Sequence, residues 1–449
     1  MQEIPMYKVI HSEDSVIVFF PQSMDIISMT SGDFEAAKEE QIVECYENFL
    51  RKYKERIQGA GIETSGKAIL SKIMLNLTDN CNLDCEYCYA AKYYNKQDMS
   101  EETIEKVISK FFLSDFISVV KRVVFFGGEP LLNLHGMEYF IKRMEVLFAE
   151  NKIMEIPRFN IITNGTIYND RIARLLKKYN MGIIVSCDGP PDLQNVQRPF
   201  RGNRKGSFEI VAENIKKMVK DGLKPGIECT VTRHTTDSCY NHSRLKDFFQ
   251  KEFGLDSIFF VQENIISPEK MFDYSDFQKQ GNIYFQILKA LDHDTDVFEV
   301  PYRLLTKRPL GYACGLGRSS FHVLANGDIY PCQLIAGMEE FKITDIDTFD
   351  DSFFQNNSWI EKYEKHSAGC RSCWAKTICK FCPARKILES GCYTLTESDC
   401  IRQRELLQDL IIRVVKLRKD SKQWEDFTSR LKKKANTIEE KLETLSAIN

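Results

Sequence analysis

Between residues 71 and 292, short apolar runs alternate with stretches whose apolar positions recur every three or four residues. The short runs read as buried strands: 73–78, Arg122–Phe126, Phe159–Ile162, Met181–Val185, Gly226–Val231 and Ser257–Val261. Helical periodicity fills the intervals, at 101–114, 136–150, 169–179, 207–221, 243–252 and 273–291. This alternation predicts an α/β fold of parallel β-α units. Right-handed crossovers would curl six of them into a partial (β/α)6 barrel of the TIM type. Ahead of it, Tyr7–Ile10, Ser15–Phe20 and Asp25–Met29 are strand-like, with a turn at Pro21–Ser23. Helical spacing then runs from Ser31 and through Ile42, Cys45, Phe49, Tyr53 and Ile57. Residues 1–70 are thus a small α+β module, suited equally to covering the next domain and to binding a peptide. Beyond residue 402, Leu406, Leu407, Leu410, Ile411, Val414 and Leu417 predict packing helices over 403–449, and the runs at Lys432–Lys434 and Glu439–Glu440 are solvated faces.

Composition narrows the setting. Hydrophobic residues at 43% and charged residues at 28% are ordinary for a globular protein, and a net charge of −3 gives no reason to expect nucleic acid. No apolar stretch reaches the ~20 residues that span a bilayer, so no membrane partner is expected. Met1–Pro5 lacks a signal-peptide pattern, and a cytoplasmic location is expected. Fifteen cysteines in such a chain point to metal or redox chemistry rather than disulfides. Three lie at 81–88 and eight between 314 and 400; Cys45, Cys187, Cys229 and Cys239 stand singly and read as buried apolar side chains.

Cys81, Cys85 and Cys88 follow the first barrel strand directly. Three thiolates on one loop hold three irons of a [4Fe–4S] cube and leave the fourth open to a small molecule. A tetrahedral zinc site would need a fourth ligand nearby, and the next residues offer neither His nor Cys. Strand C-termini in such barrels gather ligands. The second, third and fourth strands run into Gly127-Gly128-Glu129-Pro130, Thr163-Asn164-Gly165-Thr166 and Ser186-Cys187-Asp188-Gly189-Pro190. Each alone is turn chemistry; together they line one rim with polar groups.

Cys81-x3-Cys85-x2-Cys88, with Tyr87 before the last cysteine, resembles the signature of radical S-adenosylmethionine (SAM) enzymes, over roughly 71–292. The resemblance implies that the open iron is chelated by the amino and carboxylate groups of SAM. It implies that Gly127, Gly128, Glu129 and Pro130 meet the methionine amino group. Thr163, Asn164, Ser186 and Asp188 match positions near ribose and methionine, and Arg198 falls where an arginine contacts the SAM carboxylate. Such enzymes form a 5′-deoxyadenosyl radical that removes hydrogen from an unactivated carbon.

Downstream stand Cys314, Cys332, Cys370-x2-Cys373-x5-Cys379-x2-Cys382, Cys392 and Cys400. Paired C-x2-C motifs suit zinc, but eight cysteines exceed one tetrahedral site and match two clusters of four thiolates. The arrangement resembles the SPASM domain, a C-terminal extension of some radical SAM enzymes carrying two auxiliary [4Fe–4S] clusters, here over 310–402 with the barrel domain over 71–309. Carried over, Cys314, Cys332 and Cys382 hold the first auxiliary cluster, and Cys370, Cys373, Cys379 and Cys400 the second. The x2 spacing before Cys382, where the family more often has x3, leaves the shares of Cys382 and Cys392 open; and with no cysteine between Cys314 and Cys332, where some members draw a fourth ligand, the first cluster either keeps an open iron or takes Cys392. The whole chain would then hold three [4Fe–4S] clusters and SAM.

This domain order is similar to that of maturases of ribosomally made peptides, several of which join a cysteine sulfur to carbon as a thioether, the sactipeptide and ranthipeptide linkages. The resemblance implies a precursor peptide whose leader binds the N-terminal module, and an external electron donor such as flavodoxin or ferredoxin. Where related sulfatase maturases carry a basic aspartate after the second SPASM cysteine, this chain has Gln333, which cannot take a proton at neutral pH. The alternatives are another radical peptide oxidation, including carbon–carbon crosslinking or sulfatase-maturase-like oxidation, and a zinc-binding adaptor without catalysis.

Overall fold

The structure is a computed structural model, and it describes residues 4–59, 67–92, 96–232, 234–235, 238, 240, 242–262, 301, 303–307, 315–350, 353, 368–379, 382–391 and 395–429. An N-terminal antiparallel sheet contains β1 (Lys8–His11), β2 (Val16–Phe20) and β3 (Asp25–Met29), in that order. Next come β4 (Ala68–Leu70), β5 (Lys72–Thr78), β6 (Ile117–Val120), β7 (Arg122–Gly127), β8 (Arg158–Thr163), β9 (Gly182–Ser186), β10 (Gly226–Val231) and β11 (Ile258–Gln262). The last three strands are β12 (Ser320–Val323), β13 (Asp328–Tyr330) and β14 (Thr344–Asp345). The principal sheet has nine strands in the order β11-β10-β9-β8-β7-β5-β12-β13-β14.

From β5 through β11 every pairing is parallel and follows chain order, as the six predicted strands require. Helices Glu101–Phe112, Leu134–Ala149, Asp170–Lys178, Phe208–Lys220 and His242–Phe253 occupy the predicted intervals. The expected helix at 273–291 lies outside the described residues. A short helix, Pro191–Gln197, was not anticipated. Nor were the β4–β6 pair, or β12, which joins β5 in parallel and carries β13 and β14.

Alternation along the strands divides the two sides of the sheet. Ile73, Leu75, Val123, Phe125, Phe159, Ile161, Ile183, Val185, Ile227 and Cys229 enter one buried cluster with Ile104, Phe111, Met137 and Phe140 of the helices. Helices cover that side, so the intervening residues face the barrel interior. Side-chain caps set helix starts: Ser100 Oγ accepts from Thr103 N at 3.1 Å, and Asn169 Oδ1 from Ile172 N at 3.1 Å.

The N-terminal sheet is covered on both faces. Ile17 and Phe19 of β2 pack with Trp374, Ile378, Leu410, Ile411 and Val414, whereas Val18 and Phe20 pack with Ile42, Cys45 and Phe49. Phe19 meets the Trp374 ring edge-on at 6.1 Å, and Phe20 meets Phe49 at 5.2 Å. The uninterrupted apolar run Val16–Phe20 is the consequence of burial on two sides. Helix Glu397–Arg418 supplies one cover; its capping box at Thr396 and Asp399 fixes where it begins. Among the described residues, no helix is long and apolar enough to cross a membrane.

Candidate active site

The cysteine loop begins where β5 ends and is held from two sides. Glu86 N donates to Gln197 O at 3.1 Å, Asp84 N to Pro199 O at 2.9 Å, and Arg201 N to Asn82 O at 2.9 Å. On the other side Gly128 N donates to Thr78 O and Glu129 N to Asn80 O, both at 2.8 Å. This approach admits no side chain: a Cβ would lie 2.2 Å from Thr78 O at Gly127 and 2.1 Å from Asn80 O at Gly128. Gly127 also has φ +140°, which L residues rarely adopt.

Glu129 is fully buried beneath the loop. Its Oε1 accepts from Thr163 Oγ1 at 2.8 Å and Leu131 N at 3.1 Å, and its Oε2 from Asn164 N at 2.7 Å. Burial outweighs these donors and pushes its pKa up to about 7. Asn164 extends Nδ2 to Asn82 Oδ1 at 2.8 Å and to Cys81 Sγ at 3.7 Å.

After β9, Asp188 anchors a second network. Its Oδ2 accepts from Arg198 Nε at 2.9 Å and Tyr87 Oη at 2.5 Å, and its Oδ1 from Thr230 N at 2.9 Å. The Arg198 guanidinium lies 5.2 Å over the Tyr87 ring and places Nη1 4.0 Å from Cys85 Sγ. Gln194 Oε1 accepts from Asp188 N at 2.8 Å, and Ser207 Oγ donates to Arg198 O at 2.7 Å. Desolvation raises the Tyr87 phenol well above its usual value, so it remains a donor to Asp188.

Burial pushes the Cys85 thiol up to about 12 and raises Cys81 as well. Thiolates here need positive charge beside them, which bound iron provides. Asn164 and Arg198 already aim donors at Cys81 and Cys85, and hydrogen bonds to sulfur are part of how proteins tune iron–sulfur clusters. Among the described residues, no three His, Cys, Asp or Glu side chains gather around a single metal ion. A cube instead takes one thiolate per iron. The donor set and its surroundings fit a [4Fe–4S] cluster held by Cys81, Cys85 and Cys88.

The rim residues expected from sequence do come together: Gly127–Pro130, Thr163 and Asn164 around Glu129, and Tyr87, Asp188 and Arg198 in one network, with Ser186 buried at the end of β9. Thr230, Gln194, Ser207 and Asn82 complete this scaffold and were not foreseen; Thr166 of the third rim motif joins it by accepting from Asn82 Nδ2 at 2.8 Å. Thr230 had a readable signal, a polar residue breaking an apolar strand at its C-terminal end.

The C-terminal cysteines fall in two places. Cys332 and Cys382 pack about Ile335, Phe341, Ala384 and Ile387. Cys373 and Cys379 pack against the core containing Trp374 and Ile378. Cys400 stands near Cys370 and Cys373, whose charges, after burial, raise its thiol pKa. Cys314 and Cys392 lie outside the described residues. Cys187 and Cys229 are fully buried, as expected, and Cys239 lies outside the described residues.

Residues 75–245 match the Radical SAM superfamily. The chain carries a radical SAM domain. It is 25% identical over 337 residues to the cysteine-type anaerobic sulfatase-maturating enzyme of Clostridium novyi, covering 69% of this chain and 87% of that protein. It is 26% identical over 220 residues to the radical SAM cyclopropyl synthase TigE of Paramaledivibacter caminithermalis, covering 45% and 43%. Among solved structures, native anSMEcpe with bound AdoMet and Cp18Cys peptide aligns with TM-score 0.60 and 20% identity over 78% of this chain and 98% of that one. Streptococcus suis SuiB bound to S-adenosylmethionine aligns with TM-score 0.50 and 16% identity, over 88% and 100%. These structures share the fold. With its radical SAM domain and maturase relatives, the chain is a SAM-dependent enzyme.

Proposed function

We propose that this enzyme matures a ribosomally synthesised peptide, forming a thioether between a cysteine sulfur and a carbon of another residue. The observation that supports the reading is a radical SAM domain with three cysteines on one loop at the barrel rim, accompanied by a separate, two-part cysteine field in the C-terminal region. When bound, the cluster and SAM supply a carbon-centred radical able to take hydrogen from an unactivated carbon. The chain's own residues anchor and shield it. Cys81, Cys85 and Cys88 hold the cluster; Gly127–Pro130, Thr163, Asn164 and Ser186 receive SAM; Asp188, Arg198 and Tyr87 fix the loop and the SAM carboxylate. Cys314, Cys332 and Cys382, with or without Cys392, hold one auxiliary cluster, and Cys370, Cys373, Cys379 and Cys400 the other, making three. Clusters held there would supply an electron acceptor close to the substrate, and the expected external partner is an electron donor such as flavodoxin or ferredoxin.

We assign 1–70 to leader recognition, 71–309 to the radical SAM barrel, 310–402 to a SPASM domain and 403–449 to packing helices, in a cytoplasmic protein. β1 and β3 are both edges of the N-terminal sheet, and a leader strand adds to one of them. Sulfatase-type cysteine oxidation is the second reading, favoured by the match across 87% of the Clostridium novyi relative. Against it stands Gln333, which occupies the position after Cys332 where those maturases carry an aspartate and which cannot take a proton at neutral pH. Mass spectrometry of a cysteine-rich precursor encoded beside the gene and co-expressed with the enzyme separates them. A thioether shows as loss of two hydrogens with the cysteine closed to alkylation; a sulfur-free aldehyde supports the second reading.

A further inference from the structure

At the N-terminal mouth of the barrel, far from the cysteine loop, basic side chains share one rung of adjacent strands. Lys72 opens β5, Arg122 opens β7 and Arg158 opens β8, and these strands are neighbours in the sheet. Arg122 pairs in register with Arg158, and Lys72 flanks Arg122 on the other side, one residue before the Ile73–Val123 pair. Ile73, Val123 and Phe159 enter the helix-side core, so the residue before each faces the interior. Strands lie about 4.8 Å apart, and like charges set opposite one another across that gap are destabilising. Glu155, three residues before Arg158, is taken by Lys121 at 2.9 Å. Among the described residues neither Lys72 nor Arg122 forms an ion pair; partial burial, and then the Arg158 charge, lower the Arg122 pKa.

A second observation lies on the next strand. Ser320 of β12 pairs with Lys72 and brings a hydroxyl to the same rung. Two residues on, His322 faces the same interior, fully buried and edge-on to Phe126 at 5.8 Å. Among the described residues neither of its ring nitrogens has a partner, and Lys72 is the charge that bears on it. The rung thus gathers cations and an unused imidazole on one wall, with no anion among them. Lys72 and Thr78 are opposite ends of β5, about 20 Å apart at ~3.3 Å per residue, so this wall is separate from the rim that follows Thr78.

We propose that this mouth is a binding site for a phosphate group, free or carried as a small phosphate monoester, held by Lys72, Arg122 and Arg158 with Ser320 and His322 as neutral donors. Guanidinium forks match pairs of phosphate oxygens, and a dianion answers clustered cations better than the single charge of a carboxylate. The proposal is independent of the peptide reading.

The test uses the reconstituted full chain at constant ionic strength, titrated with inorganic phosphate and with glycerol 3-phosphate against a chloride background. Calorimetry should show binding of at least one of the two, and whichever binds more tightly names the source. Arg122→Gln should weaken that binding about tenfold, and Lys72→Gln should weaken it too, as the loss of a charge-assisted hydrogen bond predicts. Lys121→Gln, whose charge serves Glu155, should not. In phosphate-free urea titrations Arg122→Gln should be no less stable than the wild-type protein, because it relieves like-charge repulsion. A wild-type protein that binds neither probe overturns the proposal, as does binding that survives in both variants. Stability lost by Arg122→Gln without phosphate overturns it as well, since a carboxylate of the chain would then already balance the row. SAM binding weakened by Arg122→Gln would assign the row to the SAM site instead.

Discussion

Asp188→Ala removes the acceptor at the centre of the Arg198 network. Asp188 is 0% exposed and Arg198 6%, so the stranded guanidinium has little water to turn to and keeps Thr230 Oγ1 at 3.3 Å, Cys85 Sγ at 4.0 Å and the Tyr87 ring, but no carboxylate in contact. Breaking a buried pair from one side costs about 3–5 kcal/mol, because the remaining charge is uncompensated. With an unfolding entropy of about 2.1 cal/mol/K per residue, a chain of 449 residues unfolding as a unit loses about 3–5 °C in Tm. Arg198→Met strands Asp188 in the opposite sense and has a similar cost. The double variant leaves neither charge, so its destabilisation falls short of the sum of the two singles by about 1–3 kcal/mol. Scanning calorimetry of the iron-free protein measures all four corners of the cycle. Singles that add within about 0.5 kcal/mol would refute the claim that the two side chains form one buried unit.

Three further outcomes follow from the same structure. Gly127→Ala drives a Cβ to 2.2 Å from Thr78 O and should abolish SAM binding and lower bound iron, whereas Gly32→Ala, with nothing within 4 Å, should leave both unchanged. Glu129, with its pKa raised to about 7, holds a proton in the folded chain that an unfolded glutamate has released, so its contribution to stability declines as pH rises from about 4.5 to 7. The wild-type stability minus that of Glu129→Gln, followed by denaturant titration without SAM, should fall across that window; a difference that rises would contradict the burial argument. His322 is fully buried, among the described residues neither ring nitrogen has a partner, and desolvation lowers its pKa to about 3. His322→Leu should raise stability by about 1–2 kcal/mol, since it removes two unsatisfied polar atoms, and a loss of similar size would reveal a partner for the ring.

What could be read from the chain was whatever is local. Six strands were visible because each places apolar residues on a helix-covered face, and their bounds came within about a residue of the observed ones. The cysteine loop and rim motifs were visible because each is contiguous. β12 and β13 were missed because runs of three or four residues, Ser320–Val323 and Asp328–Tyr330, carry too little period to register. The pairing of Asp84 and Glu86 with Pro199 and Gln197 joins segments more than a hundred residues apart and leaves no local trace. Asp188 and Arg198 were both singled out, yet as separate SAM contacts. Their mutual bond depends on helix Pro191–Gln197 turning Arg198 back beneath Tyr87, and that short helix had no readable period of its own. Likewise Val16–Phe20 showed a fully buried strand, but not that helix Glu397–Arg418 would cover it.

The central claim is that the Cys81–Cys88 loop holds the cluster that acts on SAM. Anaerobically reconstituted protein is incubated with SAM and dithionite, and 5′-deoxyadenosine is quantified by chromatography beside iron and sulfide content. The wild-type protein should form 5′-deoxyadenosine and bind about twelve irons if three cubes are present. Cys81→Ala should form none and lose about four irons while keeping those of the C-terminal cysteines. Undiminished 5′-deoxyadenosine from Cys81→Ala would contradict the account at its root.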